Sequence, residues 1–365
     1  MRAETLSGKR KTAALPTAKT VLDITVLMGG PSSEREVSLV SGAAIAVGLE
    51  SRGHRVTRAD ISPSDASSLD RPGIDVVFIA LHGEFGESGG VQELCEARGL
   101  RYTGSPPDAS ALAMDKDASK RTFRAAGVAT PDWVVVETFA GGSQARMEAL
   151  GLPVVVKPID GGSSVDVTIA KDAAARDAAI GRLLDKYGRA MVERFVRGRE
   201  FTVGVLGERT LPVLEIIPSR EFYDYTAKYA ADSGTRYVFD HGLGEEVVAA
   251  METAALAAHR ALGCRDMSRV DFIVPPNGRP EALEVNTIPG FTGHSLLPMA
   301  AAKSGIGFAE LVSQIVNMAM RRPISRGPRR GLEHFTLECT PAGRRRGRAR
   351  QGSRSSRCLR IGDAG

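Results

Sequence analysis

Several features that mark particular classes of protein are scarce or missing in these 365 residues. No apolar run reaches the roughly 18 residues that a membrane-spanning helix needs. The basic N-terminal stretch is followed by no apolar segment of the kind that a secretory signal has. The four cysteines have no metal-ligand spacing and are too sparse for a disulfide framework. We therefore expect a cytoplasmic protein whose thiols are free or buried.

A uniformly basic surface is also absent, although the net charge is +5. Residues 321–365 contain 13 arginines against three acidic residues, and residues 1–20 are basic as well, so residues 21–320 are net acidic. An acidic body does not have the electrostatic footprint of nucleic-acid binding. We expect 1–20 to be a flexible extension and 321–365 a disordered basic tail, because the tail has few apolar residues to bury. Contact of this tail with a polyanion stays open as an alternative function.

Two common nucleotide-binding signatures, the P-loop and a G-x-G-x-x-G between strand and helix, are missing too. What is present is an ordered series of strands and helices. Residues 21–115 alternate apolar strands with helices, which predicts a Rossmann-like domain with a parallel sheet. Residues 116–197 and 198–320 mix short strands with helices and predict two α+β domains. The polar, aromatic loop 219–240 is too long for a plain connection, and we interpret it as a lid.

Oxygen-bearing side chains occur on two neighbouring predicted strands, RVDF and LEVNT. Alternation places Glu284 and Asn286 on one face of their strand, and Asp271 lies beside them if the strands pair. Such an all-oxygen set suits Mg²⁺. The apolar Phe272 and Leu283 should then occupy the dry face. A polar strand face turned to water explains the same pattern, so the residues alone leave both interpretations open.

A second cluster is typical of nucleotide binding. Lys157 ends an apolar strand and enters the loop IDGGSSVDV, whose glycines would allow backbone N–H groups to surround a phosphate. A plain Gly/Ser turn is the alternative. Further along, Glu193 and Glu200 could accept hydrogen bonds from adenine or ribose, beside a slot formed by Phe195 and Val196. Solvated surface carboxylates would account for the two glutamates equally simply.

Three further polar residues, Glu34, His82 and Arg269, each lie near the end of a predicted strand. Arginine suits bidentate contact with a substrate carboxylate, and glutamate suits an ammonium group. A lone histidine such as His82 is more often a structural residue. The sequence offers no convincing Ser/His/Asp or Cys/His arrangement, which argues against a protein nucleophile.

Read together, these segments resemble the D-alanine–D-alanine ligases of the ATP-grasp superfamily, and the resemblance covers residues 21–320. It is specific because eleven motifs occur in that family's order: GGPSSEREVSLVSG, ALHGEFGESGGVQ, YTGS, AMDKDASK, LPVVVKP, GSSV, ERFVRGREFTV, FYDYTAKY, RVDF, LEVNTIPGFT and HSLLPM. The resemblance implies an ATP-grasp fold, in which a Rossmann-like domain precedes two α+β domains that clamp ATP. It also implies the joining of two D-alanine molecules through an acylphosphate, with release of ADP and phosphate, for peptidoglycan synthesis.

The resemblance further implies ATP as co-substrate, two Mg²⁺ ions (or Mn²⁺), a homodimer, and a role for each matching residue. The implied catalytic residues are Glu34, Ser163, Tyr229, Arg269 and Gly290, and the implied D-alanine-binding residues are His82, Ser295 and Leu296. The implied ATP contacts are Lys116, Lys157, Ser164, Glu193, Phe195, Val196, Glu200, Lys228 and Phe272. The implied metal ligands are Asp271, Glu284 and Asn286.

Two departures from the family pattern bear on these expectations. Asp166 stands in the phosphate loop where the family usually has glycine, and its charge is expected to weaken ATP binding. Gly293 replaces a common serine, which matters less because Ser295 and Leu296 are present. D-lactate or D-serine as the second substrate remains an alternative, although Tyr229 favours D-alanine. A catalytically inactive ATP-binding protein is another, for which Asp166 is the only argument.

Overall fold

The computed structural model of the chain describes residues 21–139, 142–163, 165–219 and 234–324. Within these ranges the strands form three sheets, which follow one another along the chain. No helix in the same ranges is both long enough and apolar enough to cross a bilayer.

The first sheet is parallel, with the strand order β2–β1–β3. Its strands are β1 (Asp23–Met28), β2 (Arg55–Asp60) and β3 (Val76–Ile79), and helix α1 (Arg35–Glu50) connects the first two. Ile24 packs with α1, whereas Leu27 faces a second core on the other side of the sheet. Side chains alternate between two cores, which is why β1 and β3 are apolar nearly throughout. The predicted parallel α/β arrangement is confirmed.

Short helices follow the first sheet and lead to the central one. They are α2 (Glu84–Glu87), α3 (Gly90–Ala97), α4 (Pro107–Met114) and α5 (Lys116–Ala125). A 3₁₀ helix (Ser67–Asp70) lies earlier, between β2 and β3. The Asp115 side chain caps α5 by accepting a hydrogen bond from the Ala118 N–H at 2.9 Å. This cap fixes the start of α5, and with it the position of Lys116.

The central sheet is antiparallel, with the order β4–β7–β5–β6. Its strands are β4 (Trp133–Val136), β5 (Val154–Lys157), β6 (Thr168–Ala170) and β7 (Ala190–Arg194). Helices α6 (Ser143–Ala149) and α7 (Ala173–Tyr187) pack on one face, where Val154 and Val156 meet Ile180. By alternation, Val155 and Lys157 face the opposite side.

The third sheet has the order β11–β10–β8–β12–β13, with β9 paired to β8. Its strands are β8 (Arg199–Leu206), β9 (Arg209–Thr210), β10 (Leu214–Ile217), β11 (Arg236–Val238), β12 (Met267–Val274) and β13 (Glu281–Asn286). Helix α8 (Glu245–Ala261) covers one face of this sheet together with part of α5. The other face is left to form one wall of a cleft.

Two helices complete the described chain, α9 (Leu296–Lys303) and α10 (Phe308–Arg321). The sequence pattern groups α10 with the third α+β unit. In the structure its apolar residues Leu311 and Ile315 instead pack into the core between α1 and the first sheet. The final helix therefore returns to the first sheet, and the domain boundaries at 115 and 197 stay predictions.

A buried carboxylate ties the first and third sheets together. Asp266 directly precedes β12. Its carboxylate accepts a hydrogen bond from the Gly104 N–H at 2.8 Å and forms an ion pair with Arg322. Its main-chain oxygen accepts from the Gly207 N–H at 2.7 Å. Burial raises the pKa of Asp266, and the arginine opposes that rise. Three distant segments thus meet at one side chain.

Candidate active site

A cleft of about 1050 Å³ lies between the central and third sheets. The uncovered face of the central sheet supplies Val155 and Ile169 to one wall, and the third sheet supplies Ile216, Ile273 and Leu283 to the other. Two apolar walls around a narrow space suit a planar aromatic group.

An irregularity in the third sheet decides which residues reach this cleft. Asp271 pairs with Glu284, but the register then shifts and Phe272 pairs with Ala282. The extra residue, Leu283, bulges out of the ladder and lines the cleft. Phe272 is fully buried in the core beneath the sheet. Simple alternation predicts Leu283 on the dry face of its strand, but the structure places it in the cleft. Phe272 was expected to contact ATP, but its side chain lies in the core and not in the cleft.

The polar end of the cleft is built on the same two strands. Arg269 donates to both carboxylate oxygens of Asp271, each at 2.9 Å, and the Thr202 hydroxyl adds a third bond at 2.6 Å. Glu284 lies directly across the ladder from Asp271. The Lys116 Nζ atom is 3.6 Å from the Glu284 carboxylate. Two carboxylates therefore lie side by side, with cationic side chains next to them.

A buried cluster of three charges lies at the central sheet. The Lys157 Nζ atom donates to Oε1 of Glu193 at 2.8 Å, and the Lys120 Nζ atom is 2.6 Å from Oε2. Lys120 also donates to the Thr130 hydroxyl. Burial favours the neutral acid, but the two lysines hold the pKa of Glu193 below its ordinary value. Lys157 and Glu193 line the cleft, whereas Lys120 lies behind them with no exposed surface.

The connection from β7 to β8 forms part of the cleft wall. Phe195, Val196 and Glu200 all line the cleft, as the sequence predicts for a nucleotide slot. Arg199 donates two hydrogen bonds to the buried Glu215, at 2.6 and 2.7 Å. This bidentate pair holds β8 against β10 next to Glu200.

The glycine-rich loop 158–167 bridges the central sheet and the first. The Lys116 Nζ atom donates to the Gly161 carbonyl oxygen at 2.5 Å. Ser163 has a φ of 54° and donates from its hydroxyl to the Glu34 carboxylate at 2.5 Å. Glu34, which is buried, directly precedes α1. The loop is therefore held by residues from both neighbouring units.

A second, smaller cavity of about 130 Å³ adjoins the cleft. It is far smaller than the cleft and suits small ligands. It is lined by the predicted catalytic residues Glu34, Arg269 and Gly290, by the predicted D-alanine-binding residues His82, Ser295 and Leu296, and by the predicted metal ligand Asn286. The two cavities share the residues Glu34, Lys116, Gly161, Gly162, Ser163 and Glu284. The small cavity thus opens on the charged end of the large one.

His82 follows β3 and is buried in the wall of the small cavity. Its Nδ1 atom is 3.7 Å from the Glu87 carboxylate, which also accepts a hydrogen bond from the Gly83 N–H at 2.9 Å. Among the described residues, none forms a hydrogen bond with the buried Nε2 atom of His82. This atom is available to a small ligand.

The opposite wall of the small cavity is a turn before α9. The Ser295 hydroxyl accepts a hydrogen bond from the Thr292 N–H at 2.9 Å. A Cβ atom at Gly290 would lie 2.7 Å from that hydroxyl, so a side chain there would displace it. Glycine is needed at this position for space and not for an unusual backbone angle.

Comparisons with known proteins can now be set beside this geometry. Residues 122–317 match the family model described as "D-ala D-ala ligase C-terminus". The D-alanine–D-alanine ligase of Gloeobacter violaceus is 46% identical over 300 residues, which cover 81% of this chain and 99% of that protein. The chain belongs to the D-alanine–D-alanine ligase family.

Solved structures of this family agree with that assignment. The D-alanine–D-alanine ligase of Bacillus anthracis is 34% identical, with a TM-score of 0.74 over 82% of this chain and 98% of that one. The structure of a Bacillus anthracis D-alanine–D-alanine ligase complexed with ATP is 31% identical, with a TM-score of 0.72 over 82% of this chain and 98% of that one. A D-Ala:D-Ser ligase of Enterococcus faecalis is 29% identical, with a TM-score of 0.72 over 82% and 99%. The fold is accordingly that of ATP-grasp ligases.

Part of the expected site lies outside the described residues. Ser164, Lys228 and Tyr229 belong to this group, and so do residues 220–233 of the expected lid. The last residues of that segment are described and include β11, which closes the edge of the third sheet. The roles expected of these three residues stay predictions.

Three residues of the site were not singled out from the sequence. Lys120 lies four positions after Lys116 on α5, a spacing that places both on one side of a helix and was a usable signal. Glu87 follows His82 closely, but nothing in the sequence indicates that the chain folds it back. Leu283 reaches the cleft only because of the bulge, for which the sequence gives no sign.

Proposed function

We propose that this chain joins two D-alanine molecules to D-alanyl-D-alanine, converts ATP to ADP and phosphate, and so supplies a precursor of peptidoglycan. The observation that carries this proposal is the pair of adjoining cavities. One has the size and walls for a nucleotide, the other suits a small molecule, and they share charged residues where they meet. A phosphoryl group at that junction would lie within reach of a small carboxylic acid.

The large cleft would hold ATP with its base between the apolar walls. Phe195, Val196 and Leu283 would contact the base, and Glu200 the ribose. Phe272 would not contact ATP, because its side chain lies in the core. The triphosphate would lie at the charged end of the cleft. Lys116 and Lys157 would supply positive charge there, with Glu193 orienting Lys157. Ser164 and Lys228, which lie outside the described residues, are proposed as further phosphate contacts.

The residues at that end also fit a divalent cation. Asp271 and Glu284 lie opposite each other on paired strands and both line the cleft, so two carboxylates lie side by side with Arg269 and Lys116 next to them. Asn286 shares a strand face with Glu284 and lines the small cavity. We propose these three residues as ligands of two Mg²⁺ ions, for which Mn²⁺ could substitute. When bound, such ions neutralise charge on phosphate oxygens.

The small cavity would hold the amino acids. Glu34, oriented by the Ser163 hydroxyl, would bind the ammonium group of the first D-alanine, with Tyr229 as a third member of that set. The unpaired Nε2 atom of His82 would contact its carboxylate. The second D-alanine would bind at the turn formed by Ser295 and Leu296.

The reaction would take place in two steps. A carboxylate oxygen of the first D-alanine attacks the γ-phosphorus of ATP, the bond to the bridging oxygen breaks, and ADP leaves with both electrons. The amine of the second D-alanine then attacks the acyl carbon, the bond from that carbon to the phosphate oxygen breaks, and phosphate leaves with both electrons and with the proton that the nitrogen gives up. Arg269 and the Gly290 N–H would stabilise the oxyanion between attack and departure. The protein contributes alignment and charge stabilisation and forms no covalent bond itself.

We further propose that the enzyme acts as a homodimer in the cytoplasm. The family assignment supports both properties, and sedimentation and cell fractionation would test them.

A substrate panel tests the proposed function. ADP release would be measured with Mg²⁺–ATP and D-alanine, D-serine or D-lactate, singly and in pairs, and the products identified by mass. We expect D-alanyl-D-alanine from D-alanine alone. A mixed dipeptide or depsipeptide formed in preference would reassign the second substrate. ATP binding with no acceptor-dependent ADP release would support an inactive homologue.

Two arginine variants make the panel specific. Arg269→Met is expected to lower kcat by about 100- to 1000-fold, the cost of losing one oxyanion donor. Arg260→Met is the matched control, because Arg260 pairs with Glu208 on the exposed surface of α8. Equal activity of the two variants would contradict the role proposed for Arg269.

A further inference from the structure

Asp166 occupies an unusual position in the phosphate loop. Its φ is 58°, in the left-handed region that favours glycine. Aspartate and asparagine tolerate this region better than other side chains, but glycine would do so without strain.

The carboxylate of Asp166 is turned toward a helix. Its Oδ2 atom accepts hydrogen bonds from the Lys186 Nζ atom at 2.7 Å and from the Tyr187 hydroxyl at 2.5 Å. Both donors lie in the last turn of α7. The hydrogen bond from Lys186, and to a smaller extent that from Tyr187, holds the pKa of Asp166 below its ordinary value. These contacts therefore stabilise the ionised carboxylate.

This contact completes the support of the loop. Ser163 holds one side of the loop to Glu34 of the first unit. Three residues later, Asp166 ties the loop to α7, the helix that packs on the central sheet. Val165, between them, lines the cleft, and so does Tyr187. The loop is therefore held on both sides of Val165.

We propose that Asp166 is a positioning residue for ATP, which anchors the phosphate loop to α7 through Lys186 and Tyr187 while Lys186 offsets its charge. The effect on ATP rests on the function proposed above; the anchoring does not. This reverses the expectation from sequence, in which Asp166 weakens ATP binding by repelling the phosphates.

The two readings predict opposite effects of one substitution, Asp166→Asn. Asp166→Asn keeps a side chain that tolerates a positive φ and removes only the charge, so it separates anchoring from backbone strain. If Asp166 anchors the loop, Asp166→Asn weakens ATP binding, and Lys186→Met weakens it more by leaving the carboxylate unneutralised. If Asp166 only repels phosphate, Asp166→Asn tightens binding.

The expected effects are modest because the pair is exposed, with 58% of the Lys186 side chain and 36% of the Asp166 side chain accessible. For such a pair we expect the Kd of Mg²⁺–ATP to rise about two- to fivefold in either single variant. The double variant Asp166→Asn/Lys186→Met should resemble Asp166→Asn alone, because the two side chains act on each other. Additive effects would contradict a shared contact.

The test combines titration calorimetry of Mg²⁺–ATP with amide hydrogen exchange of the loop in the nucleotide-free protein. Lys303→Met, which removes an exposed lysine on α9, is the matched control. We expect faster exchange across residues 158–171 in Asp166→Asn and Lys186→Met than in wild type or control. Because exchange is read without ATP, it tests the anchor even if the proposed ligase activity fails. Unchanged exchange, or tighter ATP binding in Asp166→Asn, would overturn the proposal.

Discussion

The buried lysine behind the ATP cleft allows a quantitative prediction of stability. Lys120 has no exposed surface and shares the Glu193 carboxylate with Lys157. Burial lowers the pKa of Lys120 from an ordinary 10.5 to about 8; Glu193 acts against this fall, and Lys157 and Arg124 add to it. The folded protein therefore holds this proton less tightly than the unfolded chain does.

The sign and size of the effect follow from linkage. Between about pH 8 and pH 10.5 the unfolded chain keeps the Lys120 proton while the folded protein releases it, so stability rises with pH across this window. The gain is fully present above 10.5 and is lost as the pH falls through about 8. The difference between the pKa of Lys120 in the unfolded chain and in the folded protein corresponds to roughly 3 kcal/mol in the free energy of unfolding.

Lys120→Met removes the proton-binding group but keeps most of the side-chain volume. Unfolding in urea would be measured at pH 7, 8, 9 and 10 for wild type, Lys120→Met and the exposed-lysine control Lys303→Met. We expect the free energy of unfolding of wild type, relative to Lys120→Met, to increase by roughly 2–3 kcal/mol between pH 8 and pH 10. A difference that stays constant over this range would refute the reasoning.

Three further predictions follow from the site and its support. Gly290→Ala should raise the KM for D-alanine about tenfold with little change in Tm, because its Cβ would displace the Ser295 hydroxyl; unchanged steady-state kinetics would contradict this. Leu283→Ser should raise the KM for ATP about tenfold, whereas Phe272→Leu should lower stability by about 1 kcal/mol and leave that KM alone. Arg322→Met should lower the free energy of unfolding by about 3 kcal/mol at pH 7, because a buried carboxylate loses its cation; a change below about 1 kcal/mol in urea would argue against it.

Local patterns in the sequence predicted the elements well. Apolar runs identified strands of the first sheet, and the mixture of strands and helices expected in 198–320 includes helix α8. Lys157 reaches the cleft because it lies on a strand with the expected alternation, and Glu284 also lines the cleft. Hydrophobic periodicity is a local property, and it is sufficient for predictions of this kind.

Contacts between distant residues were beyond such reasoning. The bulge that brings Leu283 into the cleft depends on how two strands pair. The direction of the Asp166 carboxylate depends on α7, some 20 residues further along the chain. In each case the side chain is placed by a partner in another element, and local propensity does not encode that partner.

The most direct test of the account is the stoichiometry of the reaction in the wild-type chain. ADP would be measured against D-alanyl-D-alanine in the presence of Mg²⁺–ATP, with D-alanine present or omitted. The account predicts one ADP for each dipeptide, and ADP release that depends on D-alanine. ADP release that is independent of D-alanine, or D-alanine-dependent ADP release without dipeptide, would contradict it.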